Sequence, residues 1–205
     1  MKKRLVIAHY NEDLSWLDKV NKDVEIVIYH KNHDKELKYN EQIKINDNEF
    51  LLPNVGRESH TYLKHMINYH NNYCDIEFFS QGFPEEYDIV KLVNSDNVAE
   101  YKQYTTFYRN FESMNGFITK HMRDDGYPDT RGIWDSLFTY DPPNFTEIVP
   151  HAYIKCDRNT LMFHNKDVYE KCLSFFKDND PKNLYGWSFE YFWALLFNKI
   201  HKNKK

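Results

Sequence analysis

The chain has 205 residues, a formal net charge of −4, and 41% hydrophobic with 17% aromatic residues. That length fits a single domain over residues 1–205 with enough apolar material to fold unaided, which excludes global disorder. The acidic balance argues against nucleic acid as a general partner, and Cys74, Cys156 and Cys172 are too few and too scattered for a disulfide framework, so a reducing, cytoplasmic interior is expected. The apolar stretches at residues 5–8 and 189–197 are too short for a signal-peptide core or a membrane span.

Residues 5–8, Leu-Val-Ile-Ala, read as a buried strand that stops at His9-Tyr10-Asn11-Glu12-Asp13. Asn11 is placed to cap a helix on which Leu14, Leu17 and Val20 keep helical spacing. Residues 24–29 form a second strand, and strand, helix, strand with short connections predicts a parallel α/β sheet. Residues 30–48 are polar and form a surface excursion leading to a short strand at Phe50-Leu51-Leu52. Pro53-Asn54-Val55-Gly56 turns into a helix whose Tyr62, Leu63, Met66, Ile67 and Tyr69 share a broad face, and residues 76–80 form the next strand. Aromatic and Asn-rich segments follow to about residue 117, then a loop at 123–128. Two helices close the chain, the first capped by Asp167 with Glu170 three residues on, the second by Ser188, with Pro181 and Gly186 between them.

Ligands of an open α/β sheet gather at the carboxyl ends of its strands. Three polar clusters occupy such positions: His9-Tyr10-Asn11-Glu12, then Asn54-Val55-Gly56-Arg57-Glu58, then Ser80-Gln81-Gly82. Glycine before a helix start lets backbone amides approach an anion, and Arg57 can add a bidentate contact to phosphate. The same residues also suit a plain cap, a turn and a surface ion pair.

The order Tyr-Asn-Glu-Asp, then Pro-Asn-Val-Gly-Arg-Glu-Ser-His-Thr-Tyr-Leu, then a strand ending in Gln-Gly resembles a viral and fungal family of domains of unknown function. It also resembles the small glycosyltransferase domain at the start of a multidomain chlorella-virus enzyme. The likeness runs over residues 4–88 and returns at 153–197 with Glu190-Tyr191-Phe192-Trp193, and its most specific part is Asn-x-Gly-Arg-Glu. More distantly, the chain is similar to glycosyltransferases of the GT-A fold. The resemblance implies a nucleotide-diphospho-sugar transferase fold, with a mainly parallel sheet and helices on both faces, moving a sugar from a donor such as a UDP-sugar to a glycan acceptor. It implies that His9, Tyr10, Asn11 and Glu12 contact base and ribose, and that Arg57, flanked by Asn54, Gly56 and Glu58, contacts the nucleotide or its diphosphate. A noncatalytic nucleotide- or sugar-binding module is the alternative.

The GT-A fold carries Asp-x-Asp for Mn²⁺ or Mg²⁺, whereas this chain reads Ser80-Gln81-Gly82, and Gln81 offers one neutral oxygen where a hard cation takes carboxylates. Glu85, Glu86 or the pair Asp124-Asp125 would have to supply them. With His121, that pair also suits a metal-dependent phosphodiesterase. Inverting glycosyl transfer needs a base for the acceptor hydroxyl, and Glu190, between Phe189 and Trp193 at an expected helix start, is the candidate. Trp134, Tyr140 and Trp187 are candidates for stacking on a sugar, with packing as the plainer role. His60, His65 and His70, five residues apart, point about 140° apart around a helix and do not converge on a metal. Cys74 reads as structural.

Overall fold

A computed structural model of the chain describes residues 1–83, 89–95, 101–103, 107–110, 130–142, 145–148, 153–177 and 184–197. Its centre is β1 (Lys3–His9), which is apolar on both faces, as a strand covered on both sides must be. β2 (Val24–His30) and β5 (Ile76–Gln81) flank it in parallel, with Lys3 opposite Val24 on one side and Ile76 on the other. Beyond β2 lie β4 (Glu49–Leu51), parallel, and the two-residue β3 (Ile43–Lys44), antiparallel. Beyond β5 come β9 (Ile154–Asp157) and the edge strand β6 (Tyr101–Gln103). β7 (Phe107–Asn110) and β8 (Phe145–Ile148) form a separate antiparallel pair.

The expected mainly parallel sheet is therefore a mixed one. Its β4-β2-β1-β5 block is parallel, while β3–β4, β5–β9 and β6–β9 pair antiparallel. The physical reason is local. β9 enters beside the carboxyl end of β5, with Phe79 opposite Ile154 and Ile76 opposite Asp157, so it runs back along β5.

Helices cover both faces, as expected. On one face α1 (Arg57–Asn68), α3 (Thr130–Leu137), α5 (Lys166–Ser174) and α6 (Leu184–Phe197) bury Val6, Ala8, Val27, Tyr29 and Phe79. On the other, Leu5, Ile7, Ile76 and Phe78 pack on Leu17 of a short 3₁₀ helix, Ser15–Lys19, and on Ile89 and Val93 of α2 (Ile89–Asn94). α4 (Arg158–Leu161) is one turn, capped by Asp157, whose carboxylate accepts from the Thr160 amide at 2.8 Å.

Three helix starts differ from their sequence reading. Asn11 caps nothing: Asp13 takes the Ser15 amide at 2.9 Å, and the turn that follows is 3₁₀. α5 starts after Asn165, which places Asp167 inside its first turn rather than at the cap. α6 begins at Leu184, so Gly186 and Ser188 lie within it and Glu190 stands in its second turn. The apolar run of α6 explains the early start, because Phe189, Phe192, Trp193, Leu195 and Leu196 are all buried and the packing itself extends the helix. The helix is buried rather than amphipathic.

At the amino edge of the sheet, buried charges are tied together. Arg4 reaches Glu77 at 2.7 Å and Glu25 at 3.0 Å while lying 4.3 Å from the Tyr69 ring centre. Glu77 stands 3.4 Å from His65, whose Nδ1 is 3.1 Å from the Tyr29 hydroxyl. Each charge thus has an opposite charge in reach, which is the condition for burying it.

Candidate functional site

At the opposite edge, backbone bonds continue the strands past their ends and bring three polar segments to one rim. The Gly82 amide donates to the Ala8 carbonyl at 3.0 Å, Lys31 to His9 at 2.9 Å, and Leu52 to His30 at 2.9 Å. His9 Nδ1 and His30 Nδ1 are 2.8 Å apart, and His9 Nε2 is 3.1 Å from the Glu12 carbonyl. That carbonyl can only accept, so His9 Nε2 donates to it, while His30 Nε2 lies 3.4 Å from the Glu49 carboxylate. Burial holds His30 below the usual histidine range.

Glu12 folds back on its own segment, accepting from the amides of Tyr10 at 2.7 Å and Asn11 at 3.0 Å. Its carboxylate also presses on Gly82, where a Cβ would stand 2.6 Å from Oε2. The Gly82 carbonyl accepts from Trp16 Nε1 at 2.9 Å, which locks the end of β5 against the 3₁₀ turn. Tyr10 and Phe83 remain exposed on this rim, and Asn11 accepts from the Asn32 amide group.

The second element is the start of α1. Gly56 and Arg57 both have left-handed backbone, φ +61° and +51°, and Arg57 is the only described non-glycine residue with positive φ. Strain of that kind persists only where surrounding structure fixes it. Here Phe176 packs so closely that a Cβ on Gly56 would sit 2.3 Å from its ring, and Gly186 of α6 lies against the Gly56 carbonyl, 2.8 Å from an added Cβ. From below, the buried Lys31 ammonium donates to the carbonyls of Val55, at 2.6 Å, and Arg57. Burial brings Lys31 down to about 7, against the pull of Glu58. Glu58 is itself buried, which raises its affinity for protons, and its Oε2 lies 3.6 Å from Arg57 Nε. Arg57 stays partly exposed, so its guanidinium is within reach of a ligand.

α6 supplies the third element. Ser59 Oγ donates to the Gly186 carbonyl at 3.1 Å, pinning the start of α6 to the start of α1. One turn further along each helix stand Glu190 and Tyr62. The Tyr62 hydroxyl is buried with no hydrogen-bond partner among the described residues, and burial with the charges of Glu58 and Glu190 pushes it well above the usual phenol range. Glu190, half-buried, therefore shares one end of the molecule with Gly56, Arg57 and Glu58.

Gln81 ends β5 on the same rim, beside Ala8. Among the described residues this strand end offers a hard cation little: Gln81 has a neutral oxygen, and Oε2 of the nearby Glu12 is already held by amides. Among the described residues no group of three His, Cys, Asp or Glu is placed to hold a metal ion. Glu85, Glu86, His121, Asp124, Asp125 and the Trp187 side chain lie outside the described residues. Trp134 cannot stack on a sugar, because it is fully buried with its Nε1 donating to the Tyr140 carbonyl at 2.6 Å. His60 meets the Tyr39 carbonyl at 2.6 Å, His65 faces Tyr29, and His70 meets the His164 carbonyl at 3.0 Å, so the three diverge. Burial raises Cys74 to about 11, which suits a structural thiol.

Sequence reasoning missed Lys31, Tyr62 and Gly186. A lysine directly after a buried strand was a usable signal for the first. Nothing local marks the other two, whose roles come from the packing of α1 on α6. Among the described residues no helix is long and apolar enough to cross a membrane.

The chain belongs to the family described as protein of unknown function (DUF3431), whose model matches residues 5–205. No curated protein and no solved structure matches it.

Proposed function

We propose that this chain is a glycosyltransferase of GT-A type, moving a sugar from a nucleotide-sugar donor to a glycan or glycoconjugate acceptor. One observation carries the reading. The His9–Glu12 segment, the Gly56–Glu58 helix start and Gln81-Gly82 meet at the carboxyl edge of the parallel strands, and the helix bearing Glu190 has its start pinned to the start of α1. That is the edge where α/β sheets hold nucleotides. In this reading Tyr10 stacks on the base, Arg57 takes the diphosphate, and Glu190 accepts the proton of the attacking hydroxyl. The link to the viral transferase belongs to the same proposal.

The test is a thermal-shift screen against nucleoside diphosphates and nucleotide sugars, each with and without Mn²⁺ or Mg²⁺, followed by assay of donor hydrolysis and transfer. A nucleotide-selective shift with turnover supports the transferase. A shift with no turnover supports the noncatalytic binding module, the reading favoured by Gln81 and by the amide-bound Glu12 carboxylate. No shift at millimolar ligand refutes both.

A further inference from the structure

Lys31 is buried among groups that would not ordinarily hold a lysine. It follows β2, its backbone amide is bonded to the end of β1, and its ammonium ends beneath the left-handed turn at the start of α1. Two of its three donors go to the Val55 and Arg57 carbonyls, which bracket Gly56. It also lines an open depression of about 450 Å³ together with Pro53, Asn54 and Val55, the residues that lead into this turn.

Resting on the donor-site reading above, we propose that Lys31 is the positioning residue of that site: anchored on the Val55 and Arg57 carbonyls, it holds the left-handed turn that aims the Arg57 guanidinium at the donor diphosphate. Without that anchor Arg57 has reason to relax to negative φ, since a left-handed non-glycine residue costs about 1–2 kcal/mol, and its side chain would leave with the backbone.

The charge on Lys31 is balanced by its surroundings. Glu58 faces it from α1 and favours the ammonium, while Arg57 opposes it and His60 lies within its field. Around the depression stand His33, Lys35, Glu36, Lys38 and Glu41, of both signs. Burial is the largest influence and moves the group toward neutrality near pH 7. An anion bound at Arg57 favours the charged form. By linkage, the charged form then binds the anion more tightly, and affinity falls as pH rises through that range.

The experiment uses the full chain, with UDP-glucose, GDP-mannose and dTDP-glucose as probes, because their diphosphate bridges carry no proton between pH 6 and 8.5. Binding by calorimetry is expected to weaken at least fivefold across that range in the wild type. Lys31→Arg, which stays charged, is expected to bind with a flat profile, and Lys31→Met at least tenfold more weakly at pH 6. Equal pH slopes in the wild type and Lys31→Arg, or wild-type affinity in Lys31→Met, overturn the proposal. Amide hydrogen exchange over residues 53–61 without ligand reads the clamp directly: corrected for intrinsic rates, it is expected to rise with pH in the wild type and not in Lys31→Arg. The same rise in both overturns the clamp even if Lys31→Met fails to fold. Pairing of the differential exchange with no binding of any probe overturns the donor-site reading and leaves the clamp standing.

Discussion

Gly56→Ala tests whether the turn at the start of α1 is held as tightly as its geometry requires. At φ +61° an alanine incurs about 1–2 kcal/mol of backbone strain. Its Cβ would also lie 2.3 Å from two carbons of the Phe176 ring and 3.0 Å from the His60 Cβ. Contacts that short force the buried ring or the helix to move, an overpacking cost of about 1–3 kcal/mol. The sum, about 2–5 kcal/mol, is a large part of a typical domain's stability. The two contributions separate in a double-mutant cycle with Phe176→Ala, which removes both clashing ring carbons but leaves φ untouched. In that background Gly56→Ala is expected to cost only the backbone part, a coupling of at least about 1 kcal/mol. Urea denaturation at constant m-value measures all four proteins. A Gly56→Ala cost below about 0.5 kcal/mol, or strict additivity with Phe176→Ala, would refute the reasoning.

Three further outcomes are expected. Arg57→Ala weakens nucleotide binding at least tenfold, about 1.4 kcal/mol, and unchanged affinity in a folded variant removes Arg57 from the site. Glu190→Gln leaves donor affinity intact and lowers turnover by about 10²–10⁴, so equal turnover ends its candidacy as base. His60→Gln flattens the acid limb of stability. Burial depresses the folded ring's proton affinity well below the unfolded value of 6.5, so this stability is fully present above pH 6.5 and lost as pH falls. The difference in unfolding free energy between pH 7 and pH 5 should shrink by up to about 2 kcal/mol, at 1.36 kcal/mol per unit below 6.5. Parallel pH curves for the two proteins would show that another group governs acid unfolding.

The strands β1, β2 and β5 were legible in sequence because each is a short apolar run closed by polar or turn residues, and in β1 and β5 burial on both faces leaves no alternation to misread. α1 was legible through its 3.6-residue face. β9 was not, since Ile154-Lys155-Cys156-Asp157 looks like no strand locally and exists only because β5 offers it an open edge. The start of α6 was misplaced because Gly186 reads as a breaker. It is tolerated within the helix because the backbone of Gly56 comes too close for any side chain. Candidate site residues at strand ends could be listed from the chain, but their meeting with Glu190 depends on helix packing between residues about 130 apart.

The Tyr153 hydroxyl donates to the Phe83 carbonyl at 2.8 Å. The chain therefore leaves the rim after β5 and re-enters it before β9 at almost the same point. Between those residues the chain is anchored again and again: α2 packs Ile89 and Val93 on one face of the sheet, α3 buries Ile133 and Trp134 on the other, and β6 pairs with β9. The length of the connections between these anchors enters stability mainly through closure entropy, about 0.6 kcal/mol for each doubling. Added residues in those connections therefore cost the parallel block little, whereas a truncation at Val93 or Trp134 opens a cavity against it.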